Sequence, residues 1–195
     1  MFSGIITNLV TPVSIKRNNR SMTLTLPYPE KWKLEIGESI NVDGVCSTIE
    51  KMDSKTFSIY YMPETLDKTT FENVNEEHSF NLERCITLKT LISGHLVYGH
   101  VDTTAQVSKV AQDQESTMLT FKIPKEFTKY IVYKGSISVN GVSLTIVEVL
   151  DSSFSVALIP HTKDNTNLGA LAEGDFVNIE VDMLAKHIEK LIAKS

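Results

Sequence analysis

The sequence predicts an all-β protein: two homologous six-stranded antiparallel barrels of the Greek-key type, followed by one C-terminal α-helix. Three observations carry this. First, the stretch VNGVSLTI at 139–146 closely copies VDGVCSTI at 42–49. Second, shifting the chain by 97 residues aligns 37–83 with 134–180 without a gap and gives sixteen identical pairs, among them Gly44/Gly141, Pro63/Pro160, Asn81/Asn178 and Glu83/Glu180. Unrelated sequence would give roughly three, so one domain is written twice. Third, each half divides into about six short runs of strand-like alternation, separated by turn residues, which is the pattern of a small closed barrel. The expected units are residues 1–88, 89–182 and 183–195.

The elements follow in order. SMTLTLP (21–27) alternates polar and apolar residues, as a half-buried strand does. PEKW, from Pro29, reads as a short helix opened by proline. SINVDGVCSTIEKM is two strands around Asp43-Gly44, and SISVNGVSLTIVEV is two more around Asn140-Gly141. Both dipeptides tolerate the positive φ angles of a tight hairpin turn. TFSIYYM and SFSVALI are strands that stop at Pro63 and Pro160, which cannot donate to a ladder. SFNLE and FVNIEVD close each half, and PKEFTKYI, from Pro124, reads as a second short helix. The start of the chain also repeats: FSGII lies over VYGHV after a two-residue adjustment, which places Gly4 on Gly99. The tail breaks the repeat. Asp182 is a plausible N-cap, and Leu184, Ile188, Leu191 and Ile192 form one apolar stripe. This helix is read as a partner-binding element of a homo-oligomer; the alternative is packing on its own domain.

Composition narrows the function. The chain has 195 residues, 42% hydrophobic, enough for one large core or two small ones. Its net charge of -5 and pI of 5.5 argue against nucleic acid, whose phosphates attract clustered Lys and Arg. The densest basic patch, KRNNR at 16–20, reads as a solvated loop. No apolar run approaches the roughly 20 residues that span a bilayer, and MFSGII does not read as a secretory signal. Cys46 and Cys85 read as free thiols of a cytoplasmic protein.

MFSGII, SGHLVYGHVD (93–102), YKGSISVNGVSLTIVEV (133–149) and VNIEVD (177–182), in this order on a 97-residue duplication, resemble the riboflavin synthase family, α-chain type. The resemblance covers the whole chain. It implies a transferase that dismutates two molecules of 6,7-dimethyl-8-ribityllumazine by moving a four-carbon unit. The implied products are riboflavin and 5-amino-6-ribitylamino-2,4(1H,3H)-pyrimidinedione. It also implies no metal, no dissociable cofactor, and a homotrimer whose tail helices associate. Each active site would then hold two substrate molecules between the first barrel of one chain and the second barrel of its neighbour. Because the two molecules play different roles, the two binding faces should differ in a few residues.

Cys46 and Ser143 occupy equivalent positions two residues beyond the hairpin glycine. By resemblance they are catalytic, as nucleophile or proton-transfer group; otherwise they are a small buried cysteine and a capping serine. Thr48 and Thr145, on the same strand faces, either hydrogen-bond the pterin edge or fill interior barrel positions. Ser39, Ser47 and Leu144 complete the implied hairpin contacts. His95 and His100 flank Gly99, and no third or fourth ligand at zinc spacing accompanies them. The resemblance makes His100 a proton shuttle and His95 a binding residue. Gly4, Ile5 and Ile6, with Gly99, His100 and Val101, match the ligand-contacting backbone edge, where glycine lets a flat ring approach. Phe2 resembles a pocket-lining phenylalanine. Tyr60, Tyr61, Met62, Pro63, Glu64 and Thr65 match the segment that holds ring and ribityl chain. So do Ala157, Leu158, Ile159, Pro160, His161 and Thr162 in the second half. Lys134 and Asp182 match positions near the ribityl group or the interface.

Two departures stand out. Ser93 replaces a family glycine, and Ser47 stands where leucine is usual; on a strand Ser47 should face away from Cys46. The rival readings are a non-catalytic lumazine- or flavin-binding antenna of the same fold, and a tandem oligonucleotide-binding barrel. The second would need basic grooves and exposed aromatics.

Overall fold

The computed structural model describes residues 1–113 and 116–193. The first half runs β1 (Asn8–Val10), β2 (Ser14–Asn18), β3 (Ser21–Pro27), β4 (Ser39–Val42), β5 (Val45–Met52), β6 (Thr56–Tyr61), α1 (Pro63–Lys68), a 3-10 turn (Thr70–Glu72) and β7 (Phe80–Arg84). The second runs β8 (Thr103–Asp113), β9 (Ser116–Lys122), a 3-10 helix (Lys125–Tyr130), β10 (Ser136–Val139), β11 (Val142–Leu150), β12 (Ser153–Leu158), α2 (Pro160–Asn165), a 3-10 turn (Asn167–Ala170) and β13 (Phe176–Val181). Helix α3 (Met183–Ile192) follows; residues 194 and 195 of the expected tail unit lie outside the described residues.

The second half is a closed antiparallel barrel in the order β10-β11-β12-β9-β8-β13. Strand β9 lies beside β12 and not beside its sequence neighbour β10, which is the Greek-key crossing. The first half keeps the same order, β7-β4-β5-β6-β3, but the counterpart of β8 is split into β1 and β2. Pro12 sits in the break and cannot donate to a ladder. The uninterrupted β8 instead takes the bend as a register shift between Val107 and Lys109. Equivalent strands even carry equivalent bulges, between Ile49 and Lys51 and between Ile146 and Glu148.

Alternation decides which side chains fill each barrel. In β3, Met22, Leu24 and Leu26 point inward and are buried, while Ser21, Thr23 and Thr25 are half-buried on the other face. Each such aliphatic residue contributes about 1.5–3 kcal/mol on burial. Both hairpin turns take φ > 0 at two successive residues: Asp43 at 44° and Gly44 at 84°, Asn140 at 45° and Gly141 at 79°.

The helices depart from expectation. PEKW forms a single turn, closed by Trp32 N–H donating to Pro29 O at 2.9 Å. PKEFTKYI forms the 3-10 helix. Pro63 and Pro160 stop their ladders and also open α1 and α2 from the first turn, where proline's missing N–H costs nothing.

The barrels meet about a pseudo-twofold axis, and equivalent residues touch across it. Phe2 and Val97, 95 residues apart, pair antiparallel through N–H···O bonds of 2.7 and 3.0 Å. Asn178 Nδ2 donates to Asp43 O at 2.8 Å, and Asn81 Nδ2 donates to Asn140 O at 3.0 Å. The N-terminal arm and the segment after Gly94 cross over: Ile6 packs on the second core and Val101 on the first.

Candidate functional site: two crossed hairpin faces

Strand alternation turns Cys46 and Thr48 outward on β5, and Ser143 and Thr145 outward on β11. Cys46 and Ser143 are half-buried, and both threonines are exposed, which rules out interior positions for them. Ser39 faces Thr48 across the ladder, as Ser136 faces Thr145. Tyr60 and Ala157 lie outward on the neighbouring strands β6 and β12.

Each hairpin is completed by the other barrel's arm. Ser143 N–H donates to Gly4 O at 2.8 Å, and Cys46 N–H donates to Gly99 O at 2.8 Å. Gly4 (φ 75°) and Gly99 (φ 78°) both need left-handed backbone. A Cβ would meet Ser143 Cβ at 2.5 Å in the first case and Cys46 Cβ at 2.7 Å in the second. One face therefore gathers Cys46, Thr48, Ser39 and Tyr60 with His100 and Val101. The other gathers Ser143, Thr145 and Ala157 with Ile5, Ile6 and His95. This crossing was not visible in the sequence, where each arm aligned with its own half.

His95 is the histidine with a structural partner at the site: Nδ1 lies 2.7 Å from Ser143 Oγ. Burial lowers its pKa, against the opposing charge of Asp182, so the imidazole is neutral at pH 7. Asp182 also accepts from Leu184 N–H at 2.9 Å and caps α3. His100 is exposed on the face of Cys46, its ring tilted near that of Tyr98. Lys134 is exposed, with φ 64° where the first half has Gly37 at 89°. That left-handed conformation costs a lysine about 1–2 kcal/mol, and such strain gathers at functional positions.

Not all of the side chains expected at the site face outward. The side chains of Ser47, Tyr61, Leu144 and Leu158 turn into the barrel cores, at 2%, 3%, 8% and 0% exposure. Alternation sends them there because their neighbours face out. Phe2 is fully buried where the arms cross and presents no surface within one chain. Met62, Pro63, Glu64 and Thr65, like Ile159, Pro160, His161 and Thr162, lie at least partly exposed at the starts of α1 and α2. Glu64 is engaged by Lys68 at 2.9 Å, whose hydrogen bond and charge lower its pKa. Cys46 and Cys85 are free. Among the described residues no group of three or more His, Cys, Asp or Glu is placed to hold a metal ion, and no helix is long and apolar enough to cross a membrane.

A cleft of about 900 Å³ lies elsewhere, on the pseudo-twofold axis. Equivalent pairs such as Thr69/Thr166, Val74/Leu171 and His78/Asp175 line it. None of the site residues expected from the sequence does, although the turn residue Asn140 lines it.

A duplicated barrel with two matched outward hairpin faces defines a protein of the lumazine binding domain class, and the chain matches that family twice, over residues 3–85 and 98–182. It is 36% identical to the riboflavin synthase of Bacillus amyloliquefaciens over 196 aligned residues, covering 100% of this chain and 91% of that protein. Against the riboflavin synthase of Escherichia coli (strain K12) it is 37% identical, covering 93% and 87%. The Schizosaccharomyces pombe riboflavin synthase is 41% identical over 80% of this chain and 76% of its own length. The chain belongs to the riboflavin synthase family. In fold it is similar to LumP, crystallised with riboflavin, at a TM-score of 0.87 and 24% identity over 93% of this chain and 100% of that one. LumP complexed with 6,7-dimethyl-8-(1'-D-ribityl) lumazine gives 0.84 at 23% identity, covering 93% and 99%.

Proposed function

We propose that the protein dismutates two molecules of 6,7-dimethyl-8-ribityllumazine, giving riboflavin and 5-amino-6-ribitylamino-2,4(1H,3H)-pyrimidinedione. The observation that carries this reading is the pair of equivalent outward faces that differ in a few residues, foremost Cys46 Sγ against Ser143 Oγ. Matched faces suit two identical ligands, and the difference suits their unequal roles. Holding both molecules in register supplies much of the rate, since effective molarities reach about 10⁵ M or more. On the second face, neutral His95 can accept the Ser143 hydroxyl proton through Nδ1 and return it. On the first, Cys46 takes the place of Ser143, and His100, which follows the Gly99 bonded to the Cys46 N–H, offers a second imidazole. Lys134 brings a cation for the hydroxyl-rich chain or for developing negative charge.

The two faces complete each other between subunits of a cytoplasmic homotrimer. Helix α3 supports this. It is fastened to its own barrel through Lys129 and Tyr130 to Glu189 and through Lys186 to Asp102. Leu184, Ile188, Leu191 and Ile192 nonetheless remain 56–71% exposed, and burying such a stripe is worth about 1.5–3 kcal/mol per side chain.

The test is incubation with the lumazine while riboflavin absorbance and fluorescence are followed. Riboflavin formation, with turnover reduced at least tenfold in Cys46→Ser or Ser143→Ala and lumazine binding retained, is the expected result. Tight binding without riboflavin would instead make the chain an antenna-type binding protein.

A further inference from the structure

Among the described residues each barrel carries one buried glutamate that the function above leaves unused. Glu83, on β7, accepts Ser3 N–H at 2.7 Å and Ser3 Oγ–H at 2.6 Å on one oxygen, and Gly4 N–H at 3.0 Å on the other. Glu180, on β13, accepts Tyr98 N–H at 2.7 Å on one oxygen, and Gly99 and His100 N–H at 2.7 and 2.9 Å on the other. Both carboxylates are only 3% exposed as residues. Their arms run on directly to the reactive hairpins, but on opposite sides. The segment held by Glu83 gives its Gly4 carbonyl to Ser143 N–H, and its Ser3 carbonyl lies so close to Gly94 that a Cβ there would stand 2.2 Å away. The segment held by Glu180 gives its Gly99 carbonyl to Cys46 N–H.

We propose that Glu83 and Glu180 are crossed positioning residues: the glutamate of the first barrel fixes Ser143 in the second, and the glutamate of the second barrel fixes Cys46 in the first. The physical basis is the strength of a carboxylate that accepts several N–H bonds out of water, and the stiffness of left-handed glycines wedged against the hairpins. A glutamine in place of either glutamate keeps the shape but presents an amide donor to donors, so part of the grip is lost. The arms would loosen while the barrel cores, which the glutamates do not fill, stay intact. The consequence for the two ligands rests on the proposed function; the coupling itself does not, and it is read on ligand-free, full-length protein.

Two probes report the two hairpins separately. Iodoacetamide alkylation of Cys46, resolved from Cys85 by peptide mass spectrometry, reports the first. The NMR titration of His95, whose Nδ1 meets Ser143 Oγ, reports the second. In Glu180→Gln the Cys46 alkylation rate should change about threefold to tenfold with the His95 midpoint unmoved. In Glu83→Gln the His95 midpoint should move by about half a pH unit with Cys46 reactivity unmoved. An effect on the same barrel's hairpin, equal effects on both, or no effect would overturn the proposal. If a glutamine variant fails to fold, Glu83→Asp and Glu180→Asp, which keep the charge but withdraw it by one methylene, are scored by the same criteria. Loss of fold in all four variants would count against it, because a positioning role leaves the barrels standing.

Discussion

The hydroxyls of Ser47 and Tyr61 lie 2.8 Å apart inside the first barrel, at the two positions where the second barrel has Leu144 and Leu158. Ser47 also donates to Val45 O at 2.9 Å, and Tyr61 meets Phe71 edge-on at 4.9 Å. Burial drives the Tyr61 pKa far above the ordinary phenol value, so the pair stays neutral. A polar pair has thus replaced an apolar pair as a unit. Ser47→Ala should cost about 1–2 kcal/mol, because it leaves the buried phenol without its partner. Tyr61→Phe should cost about 1 kcal/mol, and the double variant less than the sum. Urea denaturation of the four proteins in the cycle measures the coupling; strict additivity would show that the contact contributes nothing.

Lys134 keeps a left-handed backbone where Gly37 serves in the sister half. Lys134→Gly should raise stability by about 1 kcal/mol through relief of that strain, offset in part by glycine's greater unfolded-state entropy. The same change should weaken lumazine binding. Thermal denaturation and fluorescence titration read the two effects, and a variant that binds as well as the parent would leave the strain without purpose.

The Asp43–His78 pair should make stability depend on pH. His78 Nε2 lies 2.7 Å from Asp43 Oδ2, and Asp43 also accepts from Asn81 N–H and from Asn167 Nδ2. Burial raises the Asp43 pKa against these bonds. Burial also opposes charge on His78, but the hydrogen bond and charge of Asp43 prevail and raise its pKa. Both groups therefore hold their protons more tightly when folded. The His78 contribution is complete below about pH 6.5, the unfolded value, and is lost as pH rises through the higher folded value. The Asp43 contribution is lost in the same direction, from about pH 4 upward. His78→Ala should cost about 2–4 kcal/mol near neutrality by stranding a buried carboxylate. Asp43→Asn, which copies Asn140, should flatten the pH profile. A profile unchanged in Asp43→Asn would assign the pH dependence to other groups.

Charge on the α3 stripe should separate subunits without unfolding them. Ile188→Glu is expected to convert the proposed trimer to monomer in analytical ultracentrifugation, with the β-type circular dichroism retained. A parent protein that sediments as a monomer would remove the premise.

Much of the architecture could be read from spacing alone. The 97-residue register, the Asp43-Gly44 and Asn140-Gly141 turns, and the opposition of Ser47 to Cys46 all follow from local chemistry and period-two alternation. Pro63 and Pro160 read as ladder stops in the sequence, although proline at a first helical turn carries an equal signal for α1 and α2. The burial of Ser47 followed from its alternation with Cys46, but its tyrosine partner, fourteen residues away on another strand, did not. His95 reads only as a binding residue in the sequence, because its partner, Ser143, is supplied by tertiary folding across 48 residues. The exchange of arms is also non-local. Alternation tells which way a side chain points, but not which barrel a connecting segment will lie against.

Gly44 and Gly141 meet back to back at the centre of the molecule, so that a methyl group on either would stand 2.9 or 2.8 Å from the other's backbone nitrogen. Neither glycine can acquire a side chain unless the opposing turn retreats. The two copies of the ancestral unit are therefore not free to drift apart here. The eight-residue phrase at each turn stays legible after duplication because each copy is the mould in which the other is cast.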